Sequence, residues 1–168
     1  MRLAEYTDYT LRVLIYCAAH RDRLVTIAEI ADSHAVSKNH LMKIVNDLAR
    51  QGVLATTRGR GGGMRLVREP RDIRIGEVIR QSESDFRLVE CFDDATNTCA
   101  MSATCRLRGL LDRALGAYFK ELDSATLEDI ATPLAVPRAK PSAPQGKPLR
   151  IPLNAEAAPV RRVRSRAA

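Results

Sequence analysis

The sequence predicts a mainly α chain: a winged helix-turn-helix with a two-stranded wing, then a cysteine loop and a long dimerisation helix. Three observations carry this reading. Apolar residues recur at helical spacing in three successive segments before Gly52, the third at Leu41, Ile44, Val45 and Leu48. Two short β-prone runs then flank the glycine-rich stretch Arg58-Gly59-Arg60-Gly61-Gly62-Gly63. Three of the four cysteines, Cys91, Cys99 and Cys105, fall within fifteen residues.

The elements follow in order. Thr7 or Asp8 is placed to cap a first helix with Leu11, Leu14, Ile15 and Ala18 on one face. After a loop over 22–25, Thr26 and Glu29 form a Thr-x-x-Glu capping box, whose side chains satisfy each other's backbone N–H groups. It opens a short helix with Ile27, Ile30 and Ala31 inward. Residues 33–36 make a tight turn, Ser37 caps the third helix, and Gly52 closes it. A short helix, a tight turn and a second amphipathic helix make a helix-turn-helix. Residues 53–57 and 64–67 are the wing strands. Residues 72–82 read as a fourth helix with Ile75, Val78 and Ile79 inward. The longest helix starts after Cys105 and carries Leu107, Leu110, Leu111, Ala114, Leu115, Tyr118 and Leu122. That stripe is wider than one small domain needs, which predicts a homodimer. Thr126 and Asp129 frame a last short helix that docks through Leu127 and Ile130.

Composition narrows the function classes. A chain that is 45% hydrophobic but 4% aromatic, with no Trp, suits a helical core of Leu, Ile, Val and Ala and advertises no aromatic-lined enzyme cleft. Charge divides it in three. Residues 1–80 hold 14 Lys/Arg against 9 Asp/Glu, residues 81–132 hold 5 against 10, and residues 133–168 hold 8 against 1. Seven of the eight prolines lie in the last stretch, which has no aromatic residue, so a disordered basic tail is expected. The domains are therefore 1–82, the winged helix; 83–131, the cysteine loop and dimerisation helix; and 132–168, the tail. The N-terminus has no apolar core of an export signal, and the apolar stretch 13–19 is too short for a bilayer. A cytoplasmic protein without membrane contact is expected.

The first module reads as a binder of double-stranded DNA. Ser37, Lys38, Asn39, His40 and Lys43 lie at the start of the third helix or opposite its apolar stripe, with Asn46 and Asp47 further along. Recognition helices place N-terminal side chains on base edges, and Lys and Asn have the donor geometry for guanine and adenine. The bland alternative is a solvated helix face. In the wing, Arg58 and Arg60 are the cationic contacts, and Gly61 and Gly62 let the backbone approach another surface. No Lys-Ser/Thr follows the glycines, which excludes a phosphate-cradling nucleotide loop.

Cys91, Cys99 and Cys105 have the form Cys-x7-Cys-x5-Cys. Thiols at this density in a reducing compartment are metal ligands more often than disulfide partners, with incidental thiols as the alternative. Zinc sites usually pair ligands as Cys-x2-Cys, and none is present, so an iron-sulfur cluster is the stronger assignment. A cluster takes four ligands, so the fourth comes from elsewhere. Cys17 lies mid-helix among apolar neighbours and reads as a small buried hydrophobe. A thiol enzyme is disfavoured, because His20, His34 and His40 all lie in the first module, away from the cysteines.

Several stretches resemble a known family. The opening Met-Arg-Leu with Tyr-Thr-Asp-Tyr, the run Val-Ser-Lys-Asn-His-Leu-Met-Lys-Ile-Val-Asn at 36–46, Thr-Arg-Gly-Arg-Gly-Gly-Gly-Met-Arg-Leu at 57–66 and Leu-Val-Glu-Cys-Phe at 88–92 are similar to the winged-helix iron-sulfur regulators. The likeness covers residues 1 to about 131 and is strongest to that family's nitric-oxide-sensitive repressors. It implies a homodimer that binds an AT-rich inverted repeat and lets go when nitric oxide attacks its cluster, [4Fe-4S] in preference to [2Fe-2S]. It also implies Cys91, Cys99 and Cys105 as metal ligands, with Asp8 of the partner subunit as the fourth. The x7 spacing is shared with an iron-responsive branch of the family, which stands as the alternative signal.

Overall fold

Helix α1 (Glu5–Ala19) packs against α3 (Lys38–Arg50), α4 (Ile75–Ser82), α6 (Leu127–Ile130) and strand β2 (Gly63–Leu66). The computed structural model describes residues 2–131, so the expected basic tail lies outside the described residues. The described residues form one compact unit. Its core gathers Val13, Leu14, Val25, Ile30, Leu41, Ile44, Met64, Ile79 and Leu127, each almost wholly buried.

The start of α1 differs from the sequence reading. Neither Thr7 nor Asp8 is a cap; both lie within the helix, and Ala4 holds the N-cap position without a side-chain bond. The partner for this helix end comes from far along the chain. The Glu83 carboxylate accepts the Ala4 N–H at 3.1 Å and the Thr7 hydroxyl at 2.6 Å. A carboxylate there satisfies an orphan donor and complements the positive end of the helix. Asp8 instead pairs with Arg12 one turn on, at 2.7 Å. The buried face is also broader than Leu11, Leu14, Ile15 and Ala18. Val13, Leu14, Tyr16 and Cys17 are buried with Thr7 and Thr10, while Leu11, Ile15 and Ala18 are only partly covered.

The helix-turn-helix forms as expected, with small shifts. Thr26 and Glu29 make the full capping box on α2 (Ile27–His34): the Glu29 N–H donates to Thr26 Oγ1 at 3.2 Å and the Thr26 N–H to Glu29 Oε2 at 2.8 Å. The helix runs through His34, so the turn begins at Ala35, which adopts a left-handed φ of 54° and donates its N–H to Ala31. Ser37 is the N-cap of α3 by position, but its hydroxyl makes no capping bond. Gly52, at φ 72°, ends α3 in a complete Schellman motif: its N–H donates to Ala49 O at 3.1 Å and the Val53 N–H to Leu48 O at 3.0 Å.

The wing is an antiparallel pair, β1 (Leu54–Thr57) and β2, with Leu54 opposite Leu66 and Thr57 opposite Gly63. A further rung was not legible in the sequence. Val25, in the loop before α2, exchanges both backbone bonds with Met64, at 2.9 and 2.7 Å, and ties β2 to the helix-turn-helix.

The expected helix over 72–82 is shorter. A 3-10 turn spans Pro70–Asp72, Ile73 and Arg74 are extended, and α4 starts at Ile75. The cause is a long-range pairing. Leu127 N–H donates to Ile73 O at 2.8 Å and Ile75 N–H to Ala125 O at 3.1 Å, which holds these residues as a strand-like bridge. Helix α5 (Arg106–Ser124) has no buried residue, and Leu107 and Leu110 are more than half exposed. It rests on α4 through the two-pronged Arg80–Asp123 pair, both contacts at 2.6 Å, while Phe119 meets Phe86 edge to face. The box of Thr126 and Asp129 caps α6, whose Leu127 is fully buried while Ile130 stays exposed.

Leu127 therefore anchors the chain's return onto α1. Leu127→Ala should cost about 2–5 kcal/mol in urea unfolding, against about 1 kcal/mol for Thr126→Ala, which removes only the cap. Equal losses for the two variants would show that α6 is held by its cap and not by its core contact.

Candidate nucleic-acid interface and cysteine loop

Burial of Leu41, Ile44, Val45 and Leu48 fixes which side of α3 faces outward. Lys38, Asn39, His40, Met42, Lys43 and Asn46 are exposed, as is Ser37 before them. This outward face has two flanks. On the α1 flank, the His40 ring stacks with Tyr9 at 6.4 Å between centroids, and the Lys43 ammonium lies 5.6 Å from the Tyr6 ring centre. The Tyr6 hydroxyl donates to Asp47 at 2.7 Å, which commits Asp47 to the fold instead of to DNA bases. Burial, and then the Asp47 carboxylate, push the Tyr6 phenol up to about 12, so it stays a donor at neutral pH. On the other flank, Met42 and Asn46 face the wing across an open cleft of about 420 Å³.

The wing tip is built as the sequence required. Gly59 and Gly61 take positive φ, 98° and 78°, and the Gly62 N–H closes the turn on Gly59 O at 3.0 Å. A Cβ at Gly62 would sit 2.3 Å from Thr57 O, so a side chain there has no room. The turn presents Arg58 and Arg60 to solvent. Among the described residues, neither arginine, nor Lys38 or Lys43, has an acidic partner in an ion pair. These cations are free to meet an anionic surface.

The cysteines lie on one stretch between Glu83 and α5. Cys91 is buried on a 3-10 turn, Glu90–Phe92; Cys99 and Cys105 are half-buried, and none is in a disulfide. Cys105 is the N-cap of α5, its Sγ accepting the Arg108 N–H at 3.5 Å. Polar contacts brace the loop. Thr98 donates its hydroxyl to Glu90 at 2.6 Å, and Asp94 pairs with Arg108 at 3.2 Å. Bonds from Thr98 hold Glu90 below the usual carboxylate range, and bonds from Ala95 and Thr96 do the same for Asp93.

Among the described residues, no three Cys, His, Asp or Glu side chains are gathered closely enough to hold a metal ion. The donor set fits a soft metal: three free thiols on one loop, one of them at a helix N-terminus. Convergence of the three is what the structure does not contain. Asp8 is on α1, paired with Arg12. Cys17 lies in the α1 core, where burial pushes its thiol up to about 12. Four positions escaped the sequence reading: Tyr6, Tyr9, Met42 and Glu83. The tyrosines flank Asp8 at helical spacing and were visible as a pattern, whereas no local signal marks Glu83 as the partner of residues near the N-terminus.

The Rrf2 family, described as "Iron-dependent Transcriptional regulator", matches residues 3–133. The chain belongs to the Rrf2 family. It is 52% identical over 131 residues to the HTH-type transcriptional regulator NsrR of Bacillus licheniformis, covering 77% of this chain and 92% of that protein. It is 51% identical to NsrR of Bacillus subtilis, covering 77% and 90%. Among solved structures it is similar to CymR, the global cysteine regulator of B. subtilis, with a TM-score of 0.63 and 28% identity over 78% of this chain and 96% of that one. This Rrf2 chain is thus a DNA-binding transcriptional regulator with a winged helix, and its relatives are named as regulators, not enzymes. Among the described residues, no helix is long and apolar enough to cross a membrane.

Arg58 and Arg60 are exposed on either side of Gly59 in the wing tip. Replacing either with Ala should weaken binding to a duplex and flatten the dependence of log K on log salt by about one unit per lost phosphate contact. Titrations at several salt concentrations check this, and unchanged slopes in both variants would refute it.

Proposed function

We propose that this Rrf2 chain is a cytoplasmic, homodimeric, iron-sulfur-dependent repressor that binds inverted-repeat operators and is released when nitric oxide attacks its cluster. The observation that carries this reading is a set of contacts from Glu83, where the chain leaves α4 for the cysteine stretch, to α3. Glu83 opens the loop and grips the start of α1 through Ala4 and Thr7; Tyr6 and Tyr9, on the same two turns, touch Asp47, Lys43 and His40. A change in the loop that moves Glu83 would therefore act on the side chains that face DNA.

Cys91, Cys99 and Cys105 are the proposed protein ligands, with Asp8 of the partner subunit as the fourth and [4Fe-4S] favoured over [2Fe-2S]. When bound, the cluster supplies an iron site open to a small gas, since a carboxylate ligand exchanges more readily than a fourth thiolate. Asp8 lies between Tyr6 and Tyr9 in sequence, so drawing it from Arg12 to the partner's loop would act on the helix that carries both tyrosines. The exposed apolar side chains of α5, Leu107 and Leu110 foremost, support the dimer, because a 19-residue helix with no buried residue has a face left to cover. A two-fold pair would set two α3 helices about 34–36 Å apart, one turn of DNA. Ser37, Lys38, Asn39, His40 and Lys43 then read the major groove, and Arg58, Arg60, Gly61 and Gly62 contact the backbone or the minor groove. A second reading, an iron-responsive regulator, is favoured by the family's description as iron-dependent and by the x7 spacing.

Anaerobic purification, then titration with nitric oxide while cluster absorption and binding to self-selected genomic fragments are followed together, tests the proposal. Absorption and binding should fall at the same stoichiometry. Asp8→Ala should keep the dimer and the cluster but shift the spectrum and the rate of reaction. Release of DNA by iron chelation, with no response to nitric oxide, would favour the second reading. A reconstituted protein that holds no iron would end both.

A further inference from the structure

The outward face of α3 carries one apolar side chain among its exposed positions, Met42, with 46% of its surface in water. Lys38, Asn39 and Asn46 surround it: at about 100° per residue, all four fall within about 100° of helix arc. An exposed methionine here adds nothing to the core, and a polar residue would keep this face uniformly hydrophilic. Met42 also borders the cleft between α3 and the wing, whose other walls include the apolar Ile27 and Val45 as well as Asn46, Thr57 and Arg58, with the buried Met64 behind them. Polar and cationic groups thus rim an apolar patch to which Met42 contributes the most exposed side chain.

The frame identifies the occupant. Lys38, Lys43 and Arg58 have no acidic partner among the described residues, so the surface suits a polyanion that offers one apolar group. In the major groove that group is the C5-methyl of thymine, the one apolar feature of the base edges. We propose that Met42 is a specificity-determining residue that packs its thioether on a thymine methyl in each half-site. The long, unbranched side chain reaches such a target and adapts to its position, as a branched residue does not. This deepens the proposed function and rests on α3 being the recognition helix.

The test uses the anaerobically purified full-length protein and a pool of random-sequence duplexes. The duplex selected by the native protein is resynthesised with uracil in place of each thymine in turn, which removes single methyl groups and leaves every hydrogen-bonding group unchanged. One thymine per half-site should then weaken binding by roughly fourfold when replaced, the value expected for one buried methyl. Met42→Ala should bind the thymine and uracil duplexes equally, and Met42→Leu should keep part of the discrimination. Native protein indifferent to uracil at every position, or a Met42→Ala variant that discriminates as the native protein does, would overturn the proposal. Asn39→Ala separates the two levels. If the thymine test fails while Asn39→Ala still changes the selected sequence, α3 reads DNA without Met42; if Asn39→Ala changes nothing either, the recognition-helix reading fails too.

Discussion

The Glu83 carboxylate anchors the start of α1, the helix on which four other elements pack. It holds the Ala4 N–H and the hydroxyl of the fully buried Thr7, and so decides where α1 begins. Hydrogen bonds to a charged group contribute about 1.5–3 kcal/mol each, enough to favour this start over a cap at Thr7 or Asp8. With the helix starting at Glu5, Tyr6 and Tyr9 point at α3, and Val13, Leu14 and Cys17 point into the core. A helix that began at a Thr7 or Asp8 cap would leave Tyr6 outside it. The helix that flanks Lys43, His40 and Asp47 is therefore held at its start by a carboxylate 79 residues further along the chain.

What was legible in the sequence was local. The Thr26–Glu29 and Thr126–Asp129 boxes, the Gly52 stop and the wing glycines each state their geometry within a few residues, and each is formed. What was not legible depends on distant partners. Ile73 and Arg74 fit a helix by pattern, but the backbone of 125–127 holds them extended. Val25 looked like loop until Met64 supplied its pairing. The apolar face of α1 was underestimated because four elements cover that helix, so more of its circumference is buried than one stripe accounts for.

The site divides the same way. The outward side of α3 and the wing arginines follow from periodicity and turn chemistry. Tyr6–Asp47 does not, since nothing in either segment names the other. Met42 was passed over because base recognition was sought among hydrogen-bond donors. The cysteines were conspicuous by density, yet their placement on the folded chain is not that of a finished metal site. Metal binding organises its own ligands, and a loop braced by Glu90, Asp93 and Asp94 supplies the donors without converging them.

In the proposed function, the cysteine loop and α3 communicate through the first turns of α1. Amide hydrogen exchange on the cluster-loaded and cluster-free protein, at one salt concentration and without DNA, tests it most directly. Faster exchange in the cluster-free form over the first half of α1 and the start of α3, with β1 and β2 unchanged, is the predicted result. Changes confined to the cysteine loop, with α1 and α3 exchanging at the same rates in both forms, would contradict it.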